Sequence, residues 1–477
     1  MVGSSDISLV LIEIAVFALG IGVLTIDMLY RGRRSDVCRW PTLCGLALIG
    51  ILSFLVPGTG LGWRGMLLAD PLALFFKRLF VIAAFLVSIM MGYGRRAEGD
   101  SPGESYGLVL FATLGMLFMA SAHNLVTLFM SLELLAISFY VLVASGMDRD
   151  HGLEAGVKYL VFGAVSSAFM LLGIAFIYGA TGSFDYAEIA EIIRQGRPLD
   201  AMLMPGVLLL LLGLGFKISA FPFHSWAPDV YQGGPTAVVA FLSVGSKAAG
   251  FVLLQRLVFS VFLPLRSEWG LVLSLVAVLS LCLGNLGAMR QSNIKRLLGY
   301  SGIAQAGYIM LGLIAGSVEG AAAMLYYLAG YVFSNLLAFL VIIILNRSIR
   351  SYQIADYAGL ARRSPMLAAS LLIALLSLAG VPPLVGFFGK FLLIDAIIKA
   401  GHWWIAVVAI LNVVVALYYY LSVVKVAYVS APAENTPITI PASGRVVIYA
   451  CIAVIFLLGL FQQPLYELTR TASAALF

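Results

Sequence analysis

The amino-acid sequence predicts an all-α polytopic membrane protein of about 14 transmembrane helices, with two inverted five-helix repeats (helices 4–8 and 9–13) in which helices 7 and 12 are broken. Three observations carry that class. Of the 477 residues 62% are hydrophobic and only 11% charged, with a mean hydropathy of +1.03, far too little polar surface for a soluble chain of this size. Apolar runs of about 20 residues, long enough to cross a hydrocarbon core as helix, recur along the whole chain. Prolines interrupt two of these runs close to a lysine.

In chain order the runs lie at 8–30, 40–57, 71–93, 105–121, 124–145, 153–180, 203–222, 235–260, 269–288, 297–316, 320–346, 366–399, 403–429 and 445–464. The first has no basic segment ahead of it and is too long for the apolar part of a signal peptide, so it counts as a span. The seventh ends at Pro222, and the segment from there to Pro235 carries Pro228, Gly233 and Gly234. The twelfth is longer than one straight helix requires and contains Pro382 and Pro383. Each proline removes an amide donor and clashes with the preceding turn, which frees carbonyls; in a bilayer such backbone survives only where it is buried in protein or lines water. Residues 1–104 are expected to form three leading helices, 105–260 and 261–430 the five-helix units, and 431–477 a final helix. Five is odd, so successive units start on opposite sides of the membrane, and any repeat between them is inverted.

Orientation follows from the loops. Lys and Arg gather on one side, in RGRRSDVCR (31–39), at Arg95, Arg96 and Arg149, in RQSNIKR (290–296), and at Arg347, Arg350, Arg362 and Arg363. The positive-inside rule puts that side in the cytoplasm and both termini outside. This distribution accounts for the net charge of +6 without an anionic partner.

Ionisable groups inside the spans are the candidate functional residues, because a lysine near mid-bilayer costs from about 3 to well over 10 kcal/mol. Glu133 stands about nine residues into its span, roughly 14 Å deep, out of easy reach of either surface. Lys217, just before the break at Pro222, is its natural partner, either as a static salt bridge or as an electrostatic proton switch. Lys247, about 12 residues beyond Pro235, sits near mid-depth among small and hydroxylic residues. Lys390 lies seven residues past Pro383. Both are poorly placed for snorkelling and are candidates for proton exchange. Lys158 stands four residues after Glu154, the favourable order for a helical ion pair, so a surface pair and a relay role are both open. His224 is either a proton carrier or a hydrogen-bonded loop residue. Asp395 either pairs with Lys390 or marks an outer exit. Lys77 and Arg78 are expected to snorkel or meet lipid, and Arg256, Lys399 and Lys425 to snorkel from span ends.

Enzyme chemistry finds little footing. Cys38, Cys44, Cys282 and Cys451 are scattered, with no spacing for a metal or Fe–S cluster. There is no GxGxxG unit after a strand, no P-loop and no HExxH, and no soluble module that binds nucleic acid.

The segments GLEAGVKYLVFGAVSSAFMLLG, LGFKISAFPFHSWAPDVYQGGPTAV, GNLGAMRQSNIKRLLGYSGIAQAGY, YLAGYVFSNLLAF and LSLAGVPPLVGFFGKF resemble the antiporter-like membrane subunits of proton-pumping NADH:quinone oxidoreductase, respiratory complex I. The likeness spans roughly residues 105 to 425. Lysine at 390, and a chain with no long lateral helix after its last span, make it most similar to the N-type subunits. The resemblance implies two proton half-channels joined by a polar axis. In it Glu133 and Lys217 form the ion pair, Lys247 is the connecting lysine and Lys390 the lysine of the broken twelfth helix, with Lys158 and His224 as accessory members. It implies no cofactor in this chain; NADH, FMN, Fe–S clusters and quinone belong to partner subunits. Those partners would be the M-type antiporter-like subunit and the small K-, J- and A-type subunits, in a bacterial inner (plasma) membrane with its lipids. Gln305 departs from the pattern, standing where relatives often have histidine, so proton uptake along span 10 needs water to bridge past it. A subunit of a multi-subunit cation/proton antiporter or membrane-bound hydrogenase, and a purely structural membrane subunit, are the alternatives.

Overall fold

The computed structural model describes residues 4–30, 36–55, 59–98, 103–145, 149–195, 201–432 and 436–477. Residues 31–35 of the basic loop fall outside this set, as do the side chains of Arg95, Arg96 and Arg149. Eleven helices among the described residues are long and apolar enough to cross a membrane. Three shorter apolar helices, Val37–Leu52, Leu203–Lys217 and Pro365–Ala379, occupy the stretches of the second, seventh and twelfth expected spans.

The helices sort into layers by what surrounds them. Thr236–Val261, Ile294–Ala315 and Val318–Ile349 are enclosed almost completely by protein, and their Gly, Ala and Ser content lets neighbouring backbones approach closely. Leu11–Tyr30, His151–Thr181, Trp403–Val429 and Ala442–Leu460 have only about a third of the residues of their apolar stretch buried, or fewer. Their outward rows stay apolar, as with Leu153, Val157, Leu160 and Val161, because the surrounding solvent is lipid. Pro71–Tyr93, Gly103–Ser121, Leu125–Ala144 and Leu263–Ala288 lie between these extremes. Val318–Ile349 is the central post: it packs against Pro365–Ala379, Val385–Lys399, Pro71–Glu98, Ala442–Leu460 and the C-terminal helix Gln462–Ala474.

Both expected breaks are present. Leu203–Lys217 stops at Lys217, Ser219 takes a positive φ of 60°, and helix resumes only at Trp226–Gly233. Pro365–Ala379 ends at Gly380, whose φ of 89° favours glycine, and Val385–Lys399 follows. The peptide bonds Phe221–Pro222 and Pro382–Pro383 are cis.

Some elements were not legible beforehand. A two-stranded hairpin, Gly60–Gly62 with Leu67–Ala69, interrupts the all-α pattern. A short amphipathic helix, Tyr186–Arg194, is N-capped by Asp185, which accepts from the amides of Ala187 and Glu188. The last expected span ends at Leu460, and the chain turns into Gln462–Ala474, which folds back on the central post.

Candidate functional site

Lys217, Lys247 and Lys390 are only 2–3% exposed and lie on three separate broken or distorted helices. The break after Lys217 frees backbone groups that specific side chains then take up. The Trp226 indole donates to the Phe216 carbonyl at 3.2 Å, and the Phe221 amide donates to Ser280 Oγ at 2.9 Å. Among the described residues the Lys217 ammonium itself has no hydrogen-bond or ion-pair partner. It faces the rings of Phe216 at 5.5 Å and of Tyr140 and Tyr159 at 5.9 Å each, an aromatic cage that holds a cation by its π faces. Gly163 leaves room for the Tyr140 hydroxyl, which a methyl at that position would meet.

Glu133 and Lys217 do not form the direct ion pair expected from sequence. The Glu133 carboxylate accepts instead from the Ser167 hydroxyl. It is half-buried, in a row with the exposed Met130, Ile137 and Val141 on the outward side of its helix. Depth along the span was readable, whereas the direction around the helix was not.

Lys247 begins the α-helical segment Lys247–Arg256, directly after a wide π turn at Leu242–Ser246. Such turns recur at functional sites because they displace side chains from the regular row. Its ammonium donates to the Gly302 carbonyl. A Cβ on Gly302 would lie 3.2 Å from the Lys247 nitrogen and 3.4 and 3.7 Å from the Tyr231 and Tyr331 hydroxyls, so the glycine makes the seat in which these polar groups meet. Toward Lys217 lie the hydroxyls of Tyr159 and Ser246, neither of which has a hydrogen-bond partner among the described residues. On the far side, Asn335 donates to Ser243 Oγ and to the Tyr331 hydroxyl, both at 2.9 Å.

Lys390 lies against the second break. Its ammonium donates to the carbonyls of Leu378 at 2.9 Å and Ala379 at 3.0 Å, two groups that the end of Pro365–Ala379 leaves without helical partners. A cation at a helix C-terminus is also favoured by the helix dipole. The Tyr308 ring stands 4.3 Å from the ammonium. Gln305 shares an acceptor with Lys390. Its amide nitrogen donates to the same Leu378 carbonyl at 3.0 Å and to the Tyr420 hydroxyl at 3.4 Å, while its oxygen accepts from Tyr327. Tyr420 in turn shares a hydrogen bond with Ser301.

The accessory candidates lie apart from this axis. Lys158 pairs with Glu154 at 2.7 Å and with Asp229 at 3.0 Å, and Asp229 also accepts from Arg296 at 2.6 Å. Burial alone would push the Asp229 carboxyl up, but the hydrogen bonds from Lys158 and Arg296 outweigh it and hold the group below the usual carboxylate range. Asp395 pairs with Lys399 at 2.7 Å and not with Lys390. His224 is half-buried beside the first break, and its Nδ1 has no hydrogen-bond partner among the described residues.

Two cations expected at lipid or water are instead enclosed. Lys77 pairs with Glu13 at 2.7 Å, both almost fully buried. Arg256 grips Asp70 through two hydrogen bonds of 2.7 and 2.9 Å and donates through Nε to the Ala120 carbonyl at 2.8 Å. Arg78 donates to the Ser53 carbonyl at 3.0 Å and stacks on Phe54. The acidic partners Glu13 and Asp70 carried no local signal that they reach these cations. Among the described residues, no group of three or more His, Cys, Asp or Glu is placed to hold a metal.

Residues 122–416 match the family described as NADH:quinone oxidoreductase/Mrp antiporter, transmembrane. NADH-quinone oxidoreductase subunit N of Desulforamulus reducens is 41% identical over 471 residues, covering 98% of each chain. A chain of respiratory complex I from Thermus thermophilus superposes with a TM-score of 0.82 at 34% identity, covering 96% of this chain and 98% of that one. A chain of the Mrp complex from Dietzia sp. DQ12-45-1b superposes with a TM-score of 0.87 over 99% and 97% of the two chains; at 20% identity this is a likeness of fold alone.

Proposed function

The chain belongs to the NADH:quinone oxidoreductase/Mrp antiporter family of membrane subunits, among relatives named subunit N, and on that premise we propose that protons cross it along Glu133, Lys217, Lys247 and Lys390. It is a multi-pass subunit of a proton-translocating bacterial respiratory oxidoreductase. The observation that carries the proposed route is that three buried lysines lie among buried polar groups: the Tyr159 and Ser246 hydroxyls between Lys217 and Lys247, the Gly302 carbonyl that accepts from Lys247, and Gln305, which bonds Tyr327 and shares the Leu378 carbonyl with Lys390.

Each lysine works as a proton holder that exists as ammonium or free amine. On this reading an ionised Glu133 acts as the counter-charge of the Lys217 ammonium, and the aromatic cage stands in for the water that a charged lysine would otherwise need. When Glu133 is neutralised or turned away, the Lys217 ammonium loses its counter-charge and gives its proton toward Lys247 through the Tyr159 and Ser246 hydroxyls. The proton then passes to Lys390, whose ammonium is held by the two carbonyls at the second break. Lys158 and His224 flank the route on this reading, and Asp395 with Lys399 lies near its outer side.

Electron transfer from NADH to quinone takes place in other subunits, which carry FMN and the Fe–S clusters, and no residue of this chain is redox-active. The partners are the M-type antiporter-like subunit and the small K-, J- and A-type subunits, in the inner membrane, with both termini on the periplasmic side. Units 105–260 and 261–430 act as two inverted half-channels, a division supported by the matching positions of the breaks at Pro222 and Pro383. The likeness to an Mrp chain is one of fold and gives no specific support to sodium/proton exchange.

The test is Lys217→Ala in the assembled complex, with NADH-driven acidification measured in membrane vesicles. A large loss of pumping is expected. Wild-type pumping in assembled Lys217→Ala complexes rules out the central role of this residue.

A further inference from the structure

We propose that Arg256, locked to Asp70, is a positioning residue that fixes where Lys247 stands in the relay, an inference that rests on the role given to Lys247 above. Lys247 and Arg256 are the first and last residues of one α-helical segment. Nine residues apart, they are separated by about 14 Å along the axis and by about 900° of turn, so their side chains leave the helix on opposite sides. Lys247 reaches across to Gly302 on Ile294–Ala315. Arg256 reaches the other way, to Asp70 at the start of Pro71–Glu98 and to Ala120 near the end of Gly103–Ser121.

The two ends are held unequally. Arg256 is 2% exposed and makes three hydrogen bonds of 2.7–2.9 Å in the planar fork geometry of a guanidinium. Its partner is itself anchored, because Asp70 Oδ1 also accepts from the Ala73 amide at 2.7 Å and caps the helix that follows. Among the described residues Lys247 makes a single hydrogen bond, through a flexible chain. The position of the segment is therefore set at the Arg256 end, and the ammonium follows.

The helix needs such an anchor because π turns flank the segment on both sides, at Leu242–Ser246 and Leu257–Val261. A π turn is where a helix absorbs an extra residue, and moving that residue along the chain would turn the segment by about 100° and slide it by about 1.5 Å. Either change takes Lys247 away from Gly302 and from the Tyr231 and Tyr331 hydroxyls. The grip of Arg256 on Asp70 and Ala120 excludes that second register.

The experiment measures protons moved per NADH oxidised in the assembled complex for Arg256→Met, Arg256→Lys, Lys247→Ala and the double variant Arg256→Met/Lys247→Ala. A second pair, Asp70→Leu/Arg256→Met, removes both buried charges at once and keeps the test available if the lone Arg256→Met fails to assemble. Arg256→Met is expected to lower the proton yield with electron transfer retained, and Arg256→Lys to recover part of it. Because the clamp acts only through Lys247, the double variant should match Lys247→Ala to within about twofold. A wild-type yield in assembled Arg256→Met or in the apolar pair overturns the proposal. So does a loss that adds in full to that of Lys247→Ala, because the clamp would then act elsewhere. A normal yield in Lys247→Ala removes the relay role of Lys247 and this inference with it, whereas a defect in Lys247→Ala beside a normal Arg256→Met removes the inference alone.

Discussion

Replacing Gln305 by leucine tests whether the link between Lys247 and Lys390 runs through a side-chain amide. The substitution nearly conserves volume and removes every polar atom of a side chain that is 1% exposed. Of its partners, the Leu378 carbonyl keeps Lys390 at 2.9 Å, and Tyr420 keeps Ser301. The Tyr327 hydroxyl, however, loses the acceptor it has in this network. One orphaned buried hydroxyl costs about 1–3 kcal/mol, which corresponds to about a 5- to 150-fold fall in the population of the linked arrangement. Proton yield per NADH, measured in membrane vesicles beside a native-gel check of assembly, should fall while electron transfer continues. Gln305→Glu should block the path differently, because an ionised carboxylate cannot donate to the Leu378 carbonyl and instead offers the Lys390 ammonium a counter-charge that holds the proton there. If assembled Gln305→Leu complexes pump at the wild-type yield, the amide is not part of the route and protons pass Gln305 by another group.

Three further outcomes follow from the geometry. Gly302→Ala puts a methyl 3.2 Å from the Lys247 nitrogen, so pumping should fall with assembly intact, and an unchanged yield would show that the seat is not needed. Glu13→Gln leaves Lys77 buried without its counter-charge and should destabilise the subunit by about 3–5 kcal/mol, read as a lower detergent or thermal midpoint, while the surviving complexes pump normally. Asp229 titrates below the usual carboxylate range, so the contribution of its pairs is present above about pH 4 and is lost only as pH falls further. Asp229→Asn should therefore leave the shape of the pumping profile unchanged between about pH 5 and 8.

The sequence was informative about depth and breaks, and poor on direction and distant partners. Pro222 and the pair Pro382 and Pro383 mark interruptions because a missing amide acts locally, and the structure has both. Lys217, Lys247 and Lys390 could be recognised as buried because their runs offered no route to either surface. The same logic fails for Lys77 and Arg256, because position near a span end says nothing about an acidic group 64 or 186 residues away in sequence. The Lys390 to Asp395 pairing could have been rejected from periodicity alone. Five residues turn a helix by about 500°, which points the two side chains well apart, while Asp395 and Lys399 are four apart and meet. The Ser167 contact of Glu133, by contrast, depends on how two helices are rotated against each other, and no local pattern encodes that.

Tyr327, Tyr331 and Asn335 stand four residues apart on Val318–Ile349, yet they serve different neighbours: Tyr327 bonds Gln305, and Asn335 bonds Ser243 beside Lys247. An α-helix repeats every 3.6 residues, so a row taken every four drifts by about 40° at each step and by about 80° over the three residues. The row is thus a slow screw thread, and over about 12 Å it swings from the Lys390 side to the Lys247 side. One straight rod can in this way serve two centres that lie in different directions. The thread has a single pitch, and inserting one residue between Tyr327 and Asn335 would turn one end away from its neighbour whichever end stayed in place.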